Sequence, residues 1–249
     1  MAPAPRSPLA LVRDAAEPAS APPQNQILSQ IPPPELARLM QHAEVHKAAL
    51  REVFFEDGDT IEHVYFPLSG MASLVTVLED DTMVEAMTVG HEGFVGMPVF
   101  NGLTSAGYRG MCQIDGEFLR MRSRHFLSVL EDAPELRRRL FRYAEFSLQV
   151  VAQWSACNSI HLIEQRCARW LLVTRDAVAT DAFNLTQEFL SQMLSVRRPG
   201  VTAAMGGLER RGLVAHRYGK VNIIDDAGLK KVACECYGRI RGKADALLA

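Results

Sequence analysis

The 249-residue chain has no apolar run approaching the roughly 20 residues of a membrane span, and its first residues lack the apolar core of a secretory signal. An excess of one charge is lacking too: 27 basic residues stand against 29 acidic ones, a net charge of -2. The molecule as a whole is therefore not a basic nucleic-acid coat, although a local basic patch stays open. Cysteine is scarce and unpatterned. Cys112, Cys157, Cys167, Cys234 and Cys236 make an odd count with no repeated C-x-x-C spacing, which argues against a disulfide scaffold and against a zinc ribbon. The expectation is a soluble cytoplasmic protein with reduced thiols, no membrane partner and no metal. What is present, 48% hydrophobic and 22% charged residues, suits one large or two small globular domains.

Three changes of pattern divide the chain. Residues 1–26 are rich in Ala and Pro without periodicity and are expected to form a disordered tail. Pro33 and Pro34 then precede Leu36, Leu39 and Met40, which suits a short helix with proline in its first turn. From Arg51 to Arg124 short β-like runs such as "HVYFPLSG" and "MASLVTVLEDD" are cut by Asp57-Gly58 and Ser69-Gly70, the pattern of a sandwich or jelly-roll barrel. From Pro134 the period becomes helical. Leu136, Leu140, Tyr143, Ser147, Val150, Trp154 and Cys157 alternate four and three apart, the rhythm of a coiled-coil seam, and are assigned to a dimer interface. A second stripe, Phe141, Ala144, Leu148 and Val151, runs beside it, so one face should pack on the barrel and the other on a symmetry mate.

"LTQEFLSQMLSVRRPGVTAAMGGLERRGLVAHRYGKVNIID", Leu185 to Asp225, reads as helix, turn, helix and hairpin. Thr186 suits an N-cap, Ser195-Val196 a turn, Pro199 the start of the second helix and Gly212 its end. Val201, Met205 and Leu208 supply that helix's buried face. Its exposed side opens with Arg197, Arg198, Gly200 and Thr202, placed as arginines are when they read guanine in the major groove. Arg217 and Lys220 flank the hairpin turn at Gly219. Between Leu185 and Lys220 six basic residues face two acidic ones, a local positive footprint in a slightly acidic protein. Gly206-Gly207 inside the second helix is explained most simply by close packing.

The order barrel, long helix, winged helix-turn-helix, over about Ile27 to Asp225, resembles the Crp/Fnr family of bacterial transcription regulators. "HVYFPLSGMASLV", "GHEGFVGMP" and "LTQEFLSQMLSVRRPGV" carry the likeness. It implies an α+β fold with an N-terminal β jelly-roll barrel that is cyclic-nucleotide-binding-like, a long dimerisation helix and a C-terminal winged helix-turn-helix. The corresponding boundaries are 27–130, 131–157 and 158–249. It further implies double-stranded DNA as partner, a homodimer, contact with RNA polymerase and no catalysis. Thr186 and Gln187 match family positions near the DNA backbone, and Arg198 matches the arginine that reads a guanine. Pro199 stands where an acidic residue is common and Ala203 where a second arginine is, so the target site should differ from the best-known consensus.

"HEGFVGMPVFNGLTSAGYRG" looks like the family's phosphate-binding cassette, with Gly93, Gly96, Met97, Tyr108 and Arg109 as the candidate effector pocket. Met97 replaces the glutamate expected to hold a ribose, and Arg109 lies two or three residues late for the phosphate. The expectation is a persisting glycine scaffold without conventional cyclic-AMP binding and with an unknown effector; a shifted grip by Arg109 is the alternative. A phosphate-handling enzyme is disfavoured, because the loop has neither a Walker lysine nor a Rossmann glycine pattern. The tail holds no cysteine, so the iron–sulfur cofactor of FNR-type members is not expected, and no other cofactor is assigned. Cys234 and Cys236 are close enough for redox chemistry or a metal, but without a paired motif they read as inert thiols, and His91, His125 and His161 receive no role.

Overall fold

The computed structural model describes residues 25–248, with the side chains of 247 and 248 left aside; the expected tail lies outside this range up to residue 24. The boundary at 26 falls too late. Asn25 is fully buried, and its side-chain oxygen accepts the N–H groups of Ile27 and Leu28 to cap α1 (Gln26–Ser29). Its Nδ2 donates to the carbonyls of Pro67 at 3.1 Å and Gly93 at 2.8 Å, which pins the chain's entry to the barrel. α2 (Pro33–Met40) begins on prolines as its sequence suggests.

The barrel follows as β1 (Ala43–Ala48), β2 (Val53–Phe55), β3 (His63–Pro67), β4 (Met71–Val77), β5 (Met83–Val89), α3 (Met97–Phe100), β6 (Arg109–Ile114) and β7 (Gly116–Arg122). All of its strand pairs are antiparallel, in two sheets of order β1-β7-β3 and β2-β6-β4-β5. Their core holds Phe66, Phe94, Phe118 and Phe126, all essentially inaccessible, with the Phe94 and Phe126 rings stacked at 5.1 Å. α4 (Ser123–Glu131) leads to the long helix α5 (Pro134–Ile160). Glu35 of α2 caps α5 by accepting the N–H groups of Glu135 and Leu136, at 3.2 and 2.9 Å, where the helix dipole favours a carboxylate.

α5 runs 27 residues, about 40 Å, past the break expected at Asn158-Ser159. It stops because His161 and Leu162 both turn extended before α6 (Ile163–Val178) begins. β8 (Ala182–Asn184), α7 (Gln187–Met193), α8 (Arg198–Arg210), β9 (Val214–Arg217) and β10 (Lys220–Ile223) complete a winged helix-turn-helix with sheet order β8-β10-β9. α9 (Asp226–Val232) and α10 (Cys236–Leu248) then return to the long helix.

That return corrects the expected dimer seam. Leu136, Leu140, Tyr143, Val150, Trp154 and Cys157 are all buried inside the chain itself, and Ser147 is half-buried with its hydroxyl donating to the Tyr143 carbonyl at 2.8 Å. The barrel covers the first half of the seam. The second half shares a core with Cys234, Cys236 and Ile240 at the α10 end. The second stripe is the one left outside, with Phe141 61% and Leu148 65% exposed and Val151 beside them. A periodicity finds apolar faces but carries no label saying which face meets which neighbour.

Candidate nucleic-acid interface and effector loop

In the helix-turn-helix each local choice agrees with its neighbour. Thr186 Oγ1 accepts the Phe189 N–H at 3.1 Å and starts α7. Ser195 takes a positive φ of 51° in the turn, and Pro199 lies in the first turn of α8. Val201, Met205 and Leu208 are fully buried, and Gly212 ends the region with φ 69°. Tyr218 and Gly219 both have positive φ, the geometry of a tight two-residue hairpin turn, between the Arg217 and Lys220 pair.

The exposed polar groups form one continuous surface. Arg198 Nη1 lies 3.9 Å from a Glu188 carboxylate oxygen, and the Thr202 hydroxyl donates to Gln187 Oε1 at 2.7 Å, so the start of α8 meets the start of α7. The wing joins the same place, since the Leu185 N–H donates to the Gly219 carbonyl at 2.7 Å next to Thr186. Arg197, Arg198, Arg217 and Lys220 are all exposed. Gly200 is half-buried, with room at its α-carbon limited by Ile163. Gly207 lies where a Cβ would collide with the Glu164 carboxylate, itself paired with Arg211. Gly206 has no comparable obstacle.

The glycine-rich loop is filled from within. A Cβ on Gly93 would strike the Tyr143 hydroxyl of α5, and one on Gly96 would strike Val64. Gly96 opens α3 at φ 134°, and Met97 is half-buried at its first position. Arg109 Nε donates to Glu56 Oε2 at 2.6 Å, and burial pushes the Tyr108 phenol up to about 12. Gly93, Gly96, Tyr108 and Arg109 therefore meet the protein's own groups, with Tyr108 beside Phe55. A cavity of about 720 Å³ opens elsewhere, between the loop at His91 and Glu92 and the side chains of Trp154, Arg175, Tyr237 and Arg241.

The two domains touch through polar groups as well as apolar ones. Ser73 Oγ donates to Glu85 Oε2 at 3.0 Å, and Trp170 of α6 donates Nε1–H to Glu85 Oε1 at 3.1 Å. Complete burial raises the Glu85 carboxyl to about 7, opposed by these donors and by the charge of Arg169. α7 packs on β5 nearby, with Met193 against Ser73.

A Crp-like helix-turn-helix domain profile matches residues 165–232. By that match the chain carries a Crp-like helix-turn-helix domain over those residues. The fold is shared with a CRP-family transcriptional regulator from Thermus thermophilus, at 20% identity and TM-score 0.64 over 76% of this chain and 96% of that one. FixK2 from Bradyrhizobium japonicum is similar at 15% identity and TM-score 0.64, over 77% and 98%. The c-di-GMP responsive global regulator CLP from Xanthomonas campestris is similar at 16% and 0.63, over 76% and 98%. No curated protein matches the chain. The chain thus carries a Crp-like helix-turn-helix domain within a fold shared with solved regulators of that family, and among the described residues no helix is long and apolar enough to cross a membrane.

Sequence reasoning missed one grouping. Cys157 and His161, at the end of α5, meet Cys234 and Cys236 between α9 and α10, with their four ligand atoms all within 4.8 Å of one another. The two halves are 77 residues apart, and a C-x₃-H on a helix beside a C-x-C turn matches no familiar paired motif; only the i, i+4 spacing of Cys157 and His161 hinted at a shared face.

Proposed function

We propose that the protein acts in the cytoplasm as a homodimer that inserts two α8 helices into successive major grooves of a sequence-specific site and contacts RNA polymerase there. The observation that carries this reading is the continuous surface of Arg197 and Arg198, Thr186 and Gln187, Gly200 and Thr202, and the wing residues Arg217 and Lys220. Arg198 reads a base edge, while Thr186, Gln187, Arg217 and Lys220 hold phosphates and fix register. The exposed stripe of Phe141, Leu148 and Val151 supplies the twofold face. The barrel is not a conventional cyclic-AMP receptor, a reading supported by Tyr143 against Gly93 and by the Glu56 pairing of Arg109.

The test is selection of bound fragments from genomic DNA, followed by anisotropy titration of the enriched site at two salt concentrations. A twofold-symmetric site is expected, with Arg198→Ala weakening it by about 1 to 3 kcal/mol and relaxing one base position. Equal affinity of the variant and wild type on that site would remove Arg198 from base readout. For the barrel, micromolar binding of cyclic AMP in calorimetry would overturn the second part of the reading.

A further inference from the structure

Cys157 lies in the last turn of α5 and His161 is the extended residue that follows the helix, its N–H donating to the Cys157 carbonyl, while Cys234 and Cys236 flank Glu235 where α9 gives way to α10. Cys157 Sγ is 3.5 Å from Cys234 Sγ, and Cys236 Sγ is 3.7 Å from His161 Nδ1. A tetrahedral zinc site with zinc–sulfur bonds of about 2.3 Å places neighbouring ligand atoms about 3.8 Å apart, so these separations are those of ligands around one ion. A polynuclear iron–sulfur cluster spreads its ligands over more than one iron, so four ligand atoms that all lie within 4.8 Å of one another suit a single ion instead.

The surroundings complete such a site. His161 Nε2 lies 3.0 Å from a Glu235 carboxylate oxygen, an arrangement that holds Nε2–H toward the carboxylate and leaves the Nδ1 lone pair facing the thiols. Gln153 donates Nε2–H to Cys236 Sγ at 3.1 Å. The buried guanidinium of Arg169 is stacked 3.8 Å over the ring of Trp154, which shares a core with Cys157 and Cys234. Three thiolates and one divalent ion leave a single negative charge, which this buried cation offsets.

We propose that Cys157, His161, Cys234 and Cys236 bind one thiophilic divalent cation of the zinc class in a tetrahedral S₃N site. The ion ties α10 to the last turn of α5 beside the extended break at His161 and Leu162, where the long helix hands over to the DNA-binding domain. Each of the three thiols gives up its proton to water as its sulfur bonds the ion. The four ligands meet only in the folded chain, so the free energy of binding adds to the folded state.

The proposal is independent of the DNA reading and is tested without DNA. Full-length protein, chelator-treated and kept reduced, is titrated with Co²⁺ as a spectroscopic stand-in and then with Zn²⁺. The expected result is one cobalt per protomer with the intense visible bands and thiolate charge-transfer absorption of a tetrahedral S₃N site, displaced by one equivalent of Zn²⁺, and a higher melting temperature when loaded. Cys234→Ser and Cys236→Ser should each weaken cobalt binding more than tenfold, while Cys112→Ser, in the barrel, leaves it unchanged. Because a ligand variant can fail to fold, Glu235→Gln provides a second arm: its side chain is largely exposed, and its loss should lower cobalt affinity by about 10-fold through His161. Reduced thiols without tetrahedral bands, bands that survive both cysteine substitutions, or a Cys157–Cys234 disulfide that persists in reduced protein and bars cobalt would each overturn the site.

Discussion

Gly206 and Gly207 are adjacent in α8 yet differ in what surrounds them. Gly207 leaves room for the Glu164 carboxylate, whereas the nearest group to a Cβ on Gly206 is the flexible end of Arg210, at 3.4 Å. Alanine at Gly206 should therefore recover helix propensity and stabilise the protein by about 0.5 to 1 kcal/mol in denaturant melts, with no matching gain at Gly207. A destabilised Gly206→Ala would mean that α8 needs the freedom of glycine. The close-packing account of the pair thus fits Gly207 and leaves Gly206 without a structural reason. At the same scale, the caps and turns were legible before any fold was known, because Thr186, Pro199, Gly212 and Gly219 each act on backbone within three or four residues.

At the scale of one element, α5 carries two apolar faces with different tasks. Leu140 is fully buried against the barrel, so Leu140→Ala should cost about 2 to 5 kcal/mol of stability whatever the oligomeric state. On the proposed function, Leu148→Glu places a charge on the exposed stripe and should leave the protomer folded, convert the proposed dimer to monomer in sedimentation velocity, and weaken operator binding steeply. A Leu148→Glu protein that sediments as the wild type does would move the twofold face elsewhere. Both stripes were visible in the sequence as repeats of four and three. The stripe assigned to a partner is instead covered within the chain, because α10, beyond the part of the chain that carries the family likeness, packs on the Trp154 and Cys157 end of the seam.

Across the whole molecule, Glu85 couples the barrel to the DNA-binding domain through Trp170. Its carboxyl, ordinarily near 4.5, is held at about 7 by burial, so the folded state keeps a proton that the unfolded chain releases. That contribution, about 3 kcal/mol at full size, is intact below pH 4.5 and is lost as pH rises to about 7. Glu85→Gln should flatten the stability profile between those values and be more stable than wild type at pH 8, while differing little at pH 4; parallel profiles for the two proteins would show that Glu85 does not titrate in the fold. Nothing in the local sequence "MVEAMTV" marks this glutamate, since its burial depends on α6 arriving from 85 residues away.

The sequence by itself determined the elements and their order: the strands of the barrel, the two faces of α5, the caps and turns of the helix-turn-helix, and its basic surface. These follow from interactions of short range along the chain, namely periodicity, propensity and turn chemistry. Only the tertiary structure decided which face of α5 stays open, that Tyr143 and Glu56 occupy the glycine loop and its arginine, and that Cys157 and His161 stand beside Cys234 and Cys236. Each of those outcomes depends on where a distant segment packs, and packing is fixed by the burial of whole faces at once rather than by any one stretch of residues.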